Sequence, residues 1–285
     1  MASRLPSHST LLRHWLSVAG ADLLLPRPKA GAAGAAAAAP SSQPTTAPAQ
    51  TPAPAPVPAP SPASAKPPSP PPTATPNPKL PLHLQDLPSE PGARLSRLAE
   101  LSRDCAHCGL HEKRQQAVFG DGELGAEIMF VGEAPGAQED AQGVPFVGAA
   151  GQLLTRIIEN AMGIPRSAVY IANVVKCRPP GNRNPSPEEQ QRCGPYLEEQ
   201  IRALRPKILI CLGAIAAQYL LDTKQGAGRL RGRVHQWEKI PLVVTWHPAY
   251  LLRTPSAKRE TWSDIQLALR TLGRPERPKP YKADA

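Results

Sequence analysis

Four of the five cysteines in this 285-residue chain are spaced for chemistry. Cys105 and Cys108 form a C-x2-C pair, which sets two thiolates on one turn, and Cys177 and Cys193 follow at a distance to close a four-sulfur set. Cys211 sits inside the apolar run KILICLG, where a free cysteine serves as a small buried hydrophobe. The spacing by itself fits zinc and an iron–sulfur cluster alike. An odd cysteine count without an export signal argues against a disulfide framework and for a reducing compartment. A second pattern is basic: Arg229, Arg231, Arg233 and His235 stand at every second position. If GRLRGRVHQW is extended, these four share one face, with Leu230 and Val234 on the other. That face would track the phosphates of a polyanion, or else form a solvated edge that repels self-association.

Such residues need elements to place them. Residues 126–132 (AEIMFVG), 168–175 (AVYIANVV), 207–213 (KILICLG) and 241–246 (PLVVTW) read as four strands, short and apolar. Helices are expected over 151–162, from the capping box Ser186-Pro187-Glu188-Glu189 toward Leu204, and over 259–272. Alternation of this kind predicts a three-layer α/β/α fold around a mostly parallel four-stranded sheet. Ligands of such sheets bind at the carboxyl ends of strands. The site is therefore expected in the loops after Gly132, Val175 and Trp246.

The remainder of the chain has a different texture. Of 37 prolines, 17 fall between Pro40 and Pro81, a stretch with no aromatic residue and two charges, Lys66 and Lys79. It cannot bury enough apolar surface to offset its ordering entropy. The expected organisation is a short helix-like segment over 1–25, a disordered Pro/Ala-rich linker over 26–88, one folded domain over 89–273 and a flexible tail over 274–285. No run of 18 apolar residues exists, so no membrane-spanning helix is expected. The net charge is +10, and residues beyond 88 still hold 27 basic against 21 acidic side chains. That balance favours a polyanionic partner. The first 25 residues lack a signal-peptide core, which points to the bacterial cytoplasm. Their Arg- and Ser-containing, acid-poor composition leaves organelle targeting as the alternative. A monomer is expected, and the tether is a place for a repair or replication partner that its composition does not name.

Three segments carry a resemblance: GEAPGAQEDAQGVPFVG (132–148), NVVKCRPPGNRNPSPEEQQRC (173–193) and TWHPAYLLR (245–253). Together and in this order they closely resemble the family 4 uracil-DNA glycosylases, the iron–sulfur branch of that superfamily, across residues 94–273. The resemblance implies a [4Fe–4S] cluster on Cys105, Cys108, Cys177 and Cys193. It implies that Phe146 stacks on an extruded base, that Asn173 reads it and that His247 stabilises the departing uracil. Glu133 and Glu139 fall where the family places its water and sugar contacts. Other branches carry an acid at the position of Ala134, so their general base does not transfer, and Ala134 is left as a pocket-lining residue. Of the acids present, Glu139 is the expected water-orienting group, with Glu133 and Asp140 as alternatives. Leu251, Leu252 and Arg253 would form the wedge that fills the gap left by the flipped nucleotide.

The chemistry agrees. Breaking an N-glycosidic bond develops positive charge on the sugar and negative charge on the base. A donor aimed at the developing oxyanion is then the largest single contribution, about 3–4 kcal/mol. An asparagine amide matches the donor–acceptor pattern of uracil and mismatches that of cytosine. Stacking of about 1–3 kcal/mol helps offset the unstacking of the nucleotide. The expected activity is hydrolytic removal of uracil from DNA, leaving an abasic site. A non-catalytic iron–sulfur module akin to a phage polymerase N-terminal region is the alternative. A third relative stays covalently attached to DNA through a histidine-bearing insertion, but no histidine lies within 177–193.

Overall fold

The protein is described by a computed structural model covering residue 84 and residues 86–275. The expected N-terminal helix, most of the linker and most of the tail lie outside the described residues. In chain order the main elements are α1 (Pro91–Arg103), β1 (Ile128–Gly132), α2 (Ala137–Gln142), α3 (Ala149–Arg156), β2 (Tyr170–Asn173), α4 (Pro187–Leu204), β3 (Ile208–Leu212), α5 (Ala214–Leu221), α6 (Ala227–Leu230), β4 (Val234–Trp237), β5 (Ile240–Thr245), α7 (Pro248–Arg253) and α8 (Lys258–Thr271).

The sheet has five strands in the order β2-β1-β3-β5-β4. β2, β1, β3 and β5 are parallel, and every residue of β1, β2 and β3 is buried. Strands covered on both faces read as continuous apolar runs, which is why these were visible in the sequence. Their alternate side chains feed two cores. Met129, Val131, Leu209 and Val244 meet Leu197 and Ile201 of α4 and Ala217 of α5 on one face. Ile128, Phe130, Ile210 and Val243 meet Leu153 and Leu154 of α3 and Trp262 and Ile265 of α8 on the other. The result is the expected three-layer α/β/α arrangement.

Three details differ from expectation. The fifth strand, β4, pairs antiparallel to β5 along one edge, Val234 opposite Val243 and Trp237 opposite Ile240. The helix over 151–162 starts at Ala149, and from Ile157 to Met162 it widens into a π-type turn before Gly163 ends it in a left-handed conformation. Packed chain also begins earlier than residue 89: Leu84 is fully buried in the core, and Leu87 rests against the same cluster. The start of α4 is as read. The Ser186 hydroxyl accepts from the Glu189 N–H (3.2 Å), and the Glu189 carboxylate accepts from the Ser186 N–H (2.7 Å). Among the described residues no helix is long and apolar enough to cross a membrane.

Candidate active site and metal centre

The carboxyl ends of β1 and β2 lie side by side, with Gly132 in register with Asn173. A Cβ on Gly132 would fall 2.3 Å from Asn173 Oδ1 and 2.6 Å from Phe146 Cζ. The asparagine amide and the phenylalanine ring thus face each other across the one residue type that leaves room between them. Asn173 is 1% exposed, and its Oδ1 is buried without a hydrogen-bond donor. Buried acceptors are almost always satisfied, so this oxygen is shaped for a donor the chain does not supply. The Phe146 ring lies 5.7 Å, centroid to centroid, from the His247 ring. The three residues named by the sequence therefore share one place.

Phe146 holds a left-handed backbone (φ +54°), which costs energy for a residue with a Cβ and persists only where the surroundings enforce it. Two side chains enforce it here. Glu139 Oε1 accepts from the N–H groups of Val147 (3.0 Å) and Gly148 (2.9 Å). Arg166 donates to the Pro145 carbonyl (2.7 Å) and to Thr155 Oγ1 (3.0 Å). Gly151 adds close backbone contact, since a Cβ there would sit 1.9 Å from the Phe146 carbonyl oxygen. Arg166 lies outside all three motifs, and nothing in its local sequence marks it.

His247 follows β5 and caps α7, its Nδ1 accepting from the Ala249 N–H (3.2 Å). An accepting Nδ1 leaves Nε2 to carry the proton of the neutral ring. Burial first, then the charge of Arg253, lower the His247 pKa to about 4, against a smaller opposing effect of Glu139. The ring is thus neutral at physiological pH, with Nε2–H as its donor.

The acids divide by task. Glu139 Oε1 is engaged by two backbone donors, which ties this acid to the Phe146 loop. Asp140 is buried and accepts from the Gln115 N–H (2.9 Å), a structural duty. Glu133, directly after β1, is half-buried, and burial raises its pKa above the ordinary carboxylate value. Ala134 is partly buried and packs against the apolar cluster beside it.

Cys105, Cys108, Cys177 and Cys193 line one pocket together with Tyr196 and Lys176. Among the described residues no three His, Cys, Asp or Glu side chains converge on a single ion. Zinc and an iron–sulfur cluster both take four thiolates, and this pocket is where these residues would hold such a group. The donors around it are those that polarised sulfurs attract. The Lys176 N–H donates to Cys193 Sγ (3.2 Å), and Arg114 donates to Cys177 Sγ (3.1 Å) and to the Cys105 carbonyl (3.0 Å). Burial pushes the Cys193 thiol up to about 12, so its thiolate at neutral pH requires bound metal. The donor set fits an iron–sulfur cluster. Cys211 is fully buried in β3, away from this set.

The expected DNA face is corrected in part. Arg229 lies in the helical turn α6, Gly232 turns the chain (φ +78°), and extension starts only at Val234. The four basic residues therefore do not share a strand face. Arg231 pairs with Asp264 through two 3.1 Å contacts and reaches the Glu260 carbonyl, and its guanidinium lies 6.0 Å from the Trp246 ring. It braces α8 against the loop after β5 instead of facing solvent. His235 Nε2 lies 2.7 Å from the Leu230 carbonyl. Leu251 is fully buried in the core and cannot act as a wedge. Leu252 is 45% exposed, and Arg229, Arg233 and Arg253 are exposed as expected.

Comparison with known proteins matches residues 119–266 to the uracil DNA glycosylase superfamily. The chain is 44% identical over 181 residues to the type-4 uracil-DNA glycosylase of Pyrobaculum aerophilum, covering 61% of this chain and 92% of that protein. It is 44% identical over 170 residues to the type-4 uracil-DNA glycosylase of Archaeoglobus fulgidus, covering 57% and 85%. A DNA polymerase of Bacillus phage SP01 is 28% identical over 159 residues, which is 17% of its length. Matched across its core and over nearly the whole length of these glycosylases, the chain belongs to the type-4 branch of the uracil-DNA glycosylase superfamily.

Proposed function

We propose that this enzyme extrudes uracil from DNA into the pocket formed by Asn173, Phe146 and His247 and hydrolyses its N-glycosidic bond, leaving an abasic site. The observation that carries this reading is the unpartnered, buried Asn173 Oδ1 beside an aromatic ring. That acceptor suits the N3–H of uracil, and cytosine presents no hydrogen there. Phe146 stacks on the base. The His247 Nε2–H stabilises negative charge on the leaving uracil without giving up its proton. Glu133, which makes no side-chain hydrogen bond among the described residues, orients the attacking water, while Glu139 holds the loop that presents Phe146. Leu252 and Arg253 enter the strand beside the extruded nucleotide.

We infer further that Cys105, Cys108, Cys177 and Cys193 hold a [4Fe–4S] cluster. When bound, it would cross-link the segment after α1 to the loop before α4 and to the first turns of α4 itself. The test is incubation with a uracil-containing oligonucleotide followed by alkaline strand scission. The parent chain should turn over repeatedly and leave no denaturation-resistant protein–DNA adduct. His247→Ala and Asn173→Ala should each cut turnover by about 10²–10³-fold while DNA binding persists. Full activity in both variants would overturn the pocket assignment, and an inactive parent would favour a non-catalytic DNA-binding module.

A further inference from the structure

Lys176 is a buried cation for which the excision chemistry has no use. It is 1% exposed, and its Nζ donates to the Asn173 carbonyl (2.9 Å) and to Gln200 Oε1 (2.5 Å), both uncharged. Gln200 in turn donates to the Phe119 carbonyl (3.0 Å) and the Tyr170 hydroxyl (3.2 Å), and the Phe119 ring lies 5.7 Å from the ammonium. Lys176 lines the same pocket as Cys105, Cys108, Cys177 and Cys193. Its own backbone N–H donates to Cys193 Sγ. One residue thus touches the base-reading strand end with its side chain and the sulfur set with its backbone.

An ammonium buried among neutral acceptors is unfavourable unless an opposite charge lies near. Thiolates held by a metal centre supply that charge, and loss of the centre would remove it. We propose that Lys176 is a positioning residue, through which the four-cysteine centre fixes the end of β2 and hence the aim of the Asn173 amide. The centre would then contribute to base recognition as well as to folding. This rests on Asn173 reading uracil and on the cysteines holding a cluster.

The experiment compares Lys176→Met, Lys176→Arg, Asn173→Ala and the Lys176→Met/Asn173→Ala double variant as purified full chains. It measures kcat and KM on a uracil-containing oligonucleotide, inhibition by free uracil and release of iron to a chelator. Lys176→Met should lose about 10–100-fold in kcat with KM for DNA nearly unchanged, bind free uracil correspondingly less well and release iron faster. Lys176→Arg should recover part of each. The double variant should be no worse than Asn173→Ala, because both changes act on one contact. Parental uracil inhibition in folded Lys176→Met overturns the proposal, whatever happens to the iron. If Asn173→Ala itself leaves uracil inhibition intact, the reading of the pocket is overturned and the proposal with it. Should Lys176→Met fail to fold, Gln200→Met loosens the same ammonium. A several-fold loss of uracil inhibition there supports the proposal, and parental inhibition overturns it.

Discussion

The hydrogen bond from the Ala249 N–H to His247 Nδ1 decides what this histidine can do, because it fixes the tautomer and leaves a neutral donor at Nε2. With the ring pKa lowered to about 4 by burial, histidine titration should leave no limb in the kcat profile between pH 5 and 8. With Glu133 in its proposed water-orienting role, the acid limb is expected from its carboxyl, whose pKa burial raises. It should therefore lie above the usual glutamate value, and Glu133→Gln should abolish it together with most of the rate. A limb that survives in Glu133→Gln would assign the water to another acid. Stability carries the same signature with a definite sign. As pH falls from about 6.5 toward 4, the unfolded chain takes up a proton that folded His247 refuses, so stability declines across that window. His247→Asn should flatten that slope in denaturant titrations. His247 and Asn173 were legible because each stands in a motif at a strand end, and Phe146 because it stands in the motif that follows β1. Arg166 and Lys176 were not, because their partners are set by loop closure and by helix packing. No short pattern in the sequence encodes either.

At the level of elements, the pocket depends on the register between β1 and β2, which brings Gly132 level with Asn173. Gly132→Ala should leave the sheet folded, since the residue stands at the strand end. Its methyl group would nevertheless meet the Asn173 amide and the Phe146 ring. Excision should fall by at least about 10²-fold, a loss on the scale of one misplaced catalytic contact, with a circular dichroism spectrum like that of the parent. Near-parental kcat would show that these two side chains do not act together. The buried strands and the α4 capping box were readable because apolar runs and cap residues are local signals. β4 was missed for an equally local reason. Its hairpin to β5 turns at Glu238 and Lys239, both with positive φ (43° and 73°). Two-residue turns of this kind usually announce themselves with Asn or Gly, and here neither is present. Leu251 was misassigned as wedge because adjacent leucines on a helix point about 100° apart, here one into the core and one to solvent.

For the molecule as a whole, the purified chain should be brown and contain iron, and mutation of Cys193 to Ser should lower both the iron content and the melting temperature. Colourless protein with stoichiometric zinc would contradict the cluster. Leu84 joins the core from a segment that composition assigned to the linker, since the density of prolines there outweighs the short alternation of Leu80, Leu82 and Leu84. The unsatisfied oxygen of Asn173 has a thermodynamic consequence beyond chemistry. A sequestered acceptor without a donor lowers the stability of the resting protein, by about 1–3 kcal/mol for such groups. Asn173→Leu should therefore yield a catalytically dead enzyme that unfolds at a higher temperature than its active parent. In that comparison robustness and repair competence are alternatives, and the native sequence keeps the second at the expense of the first.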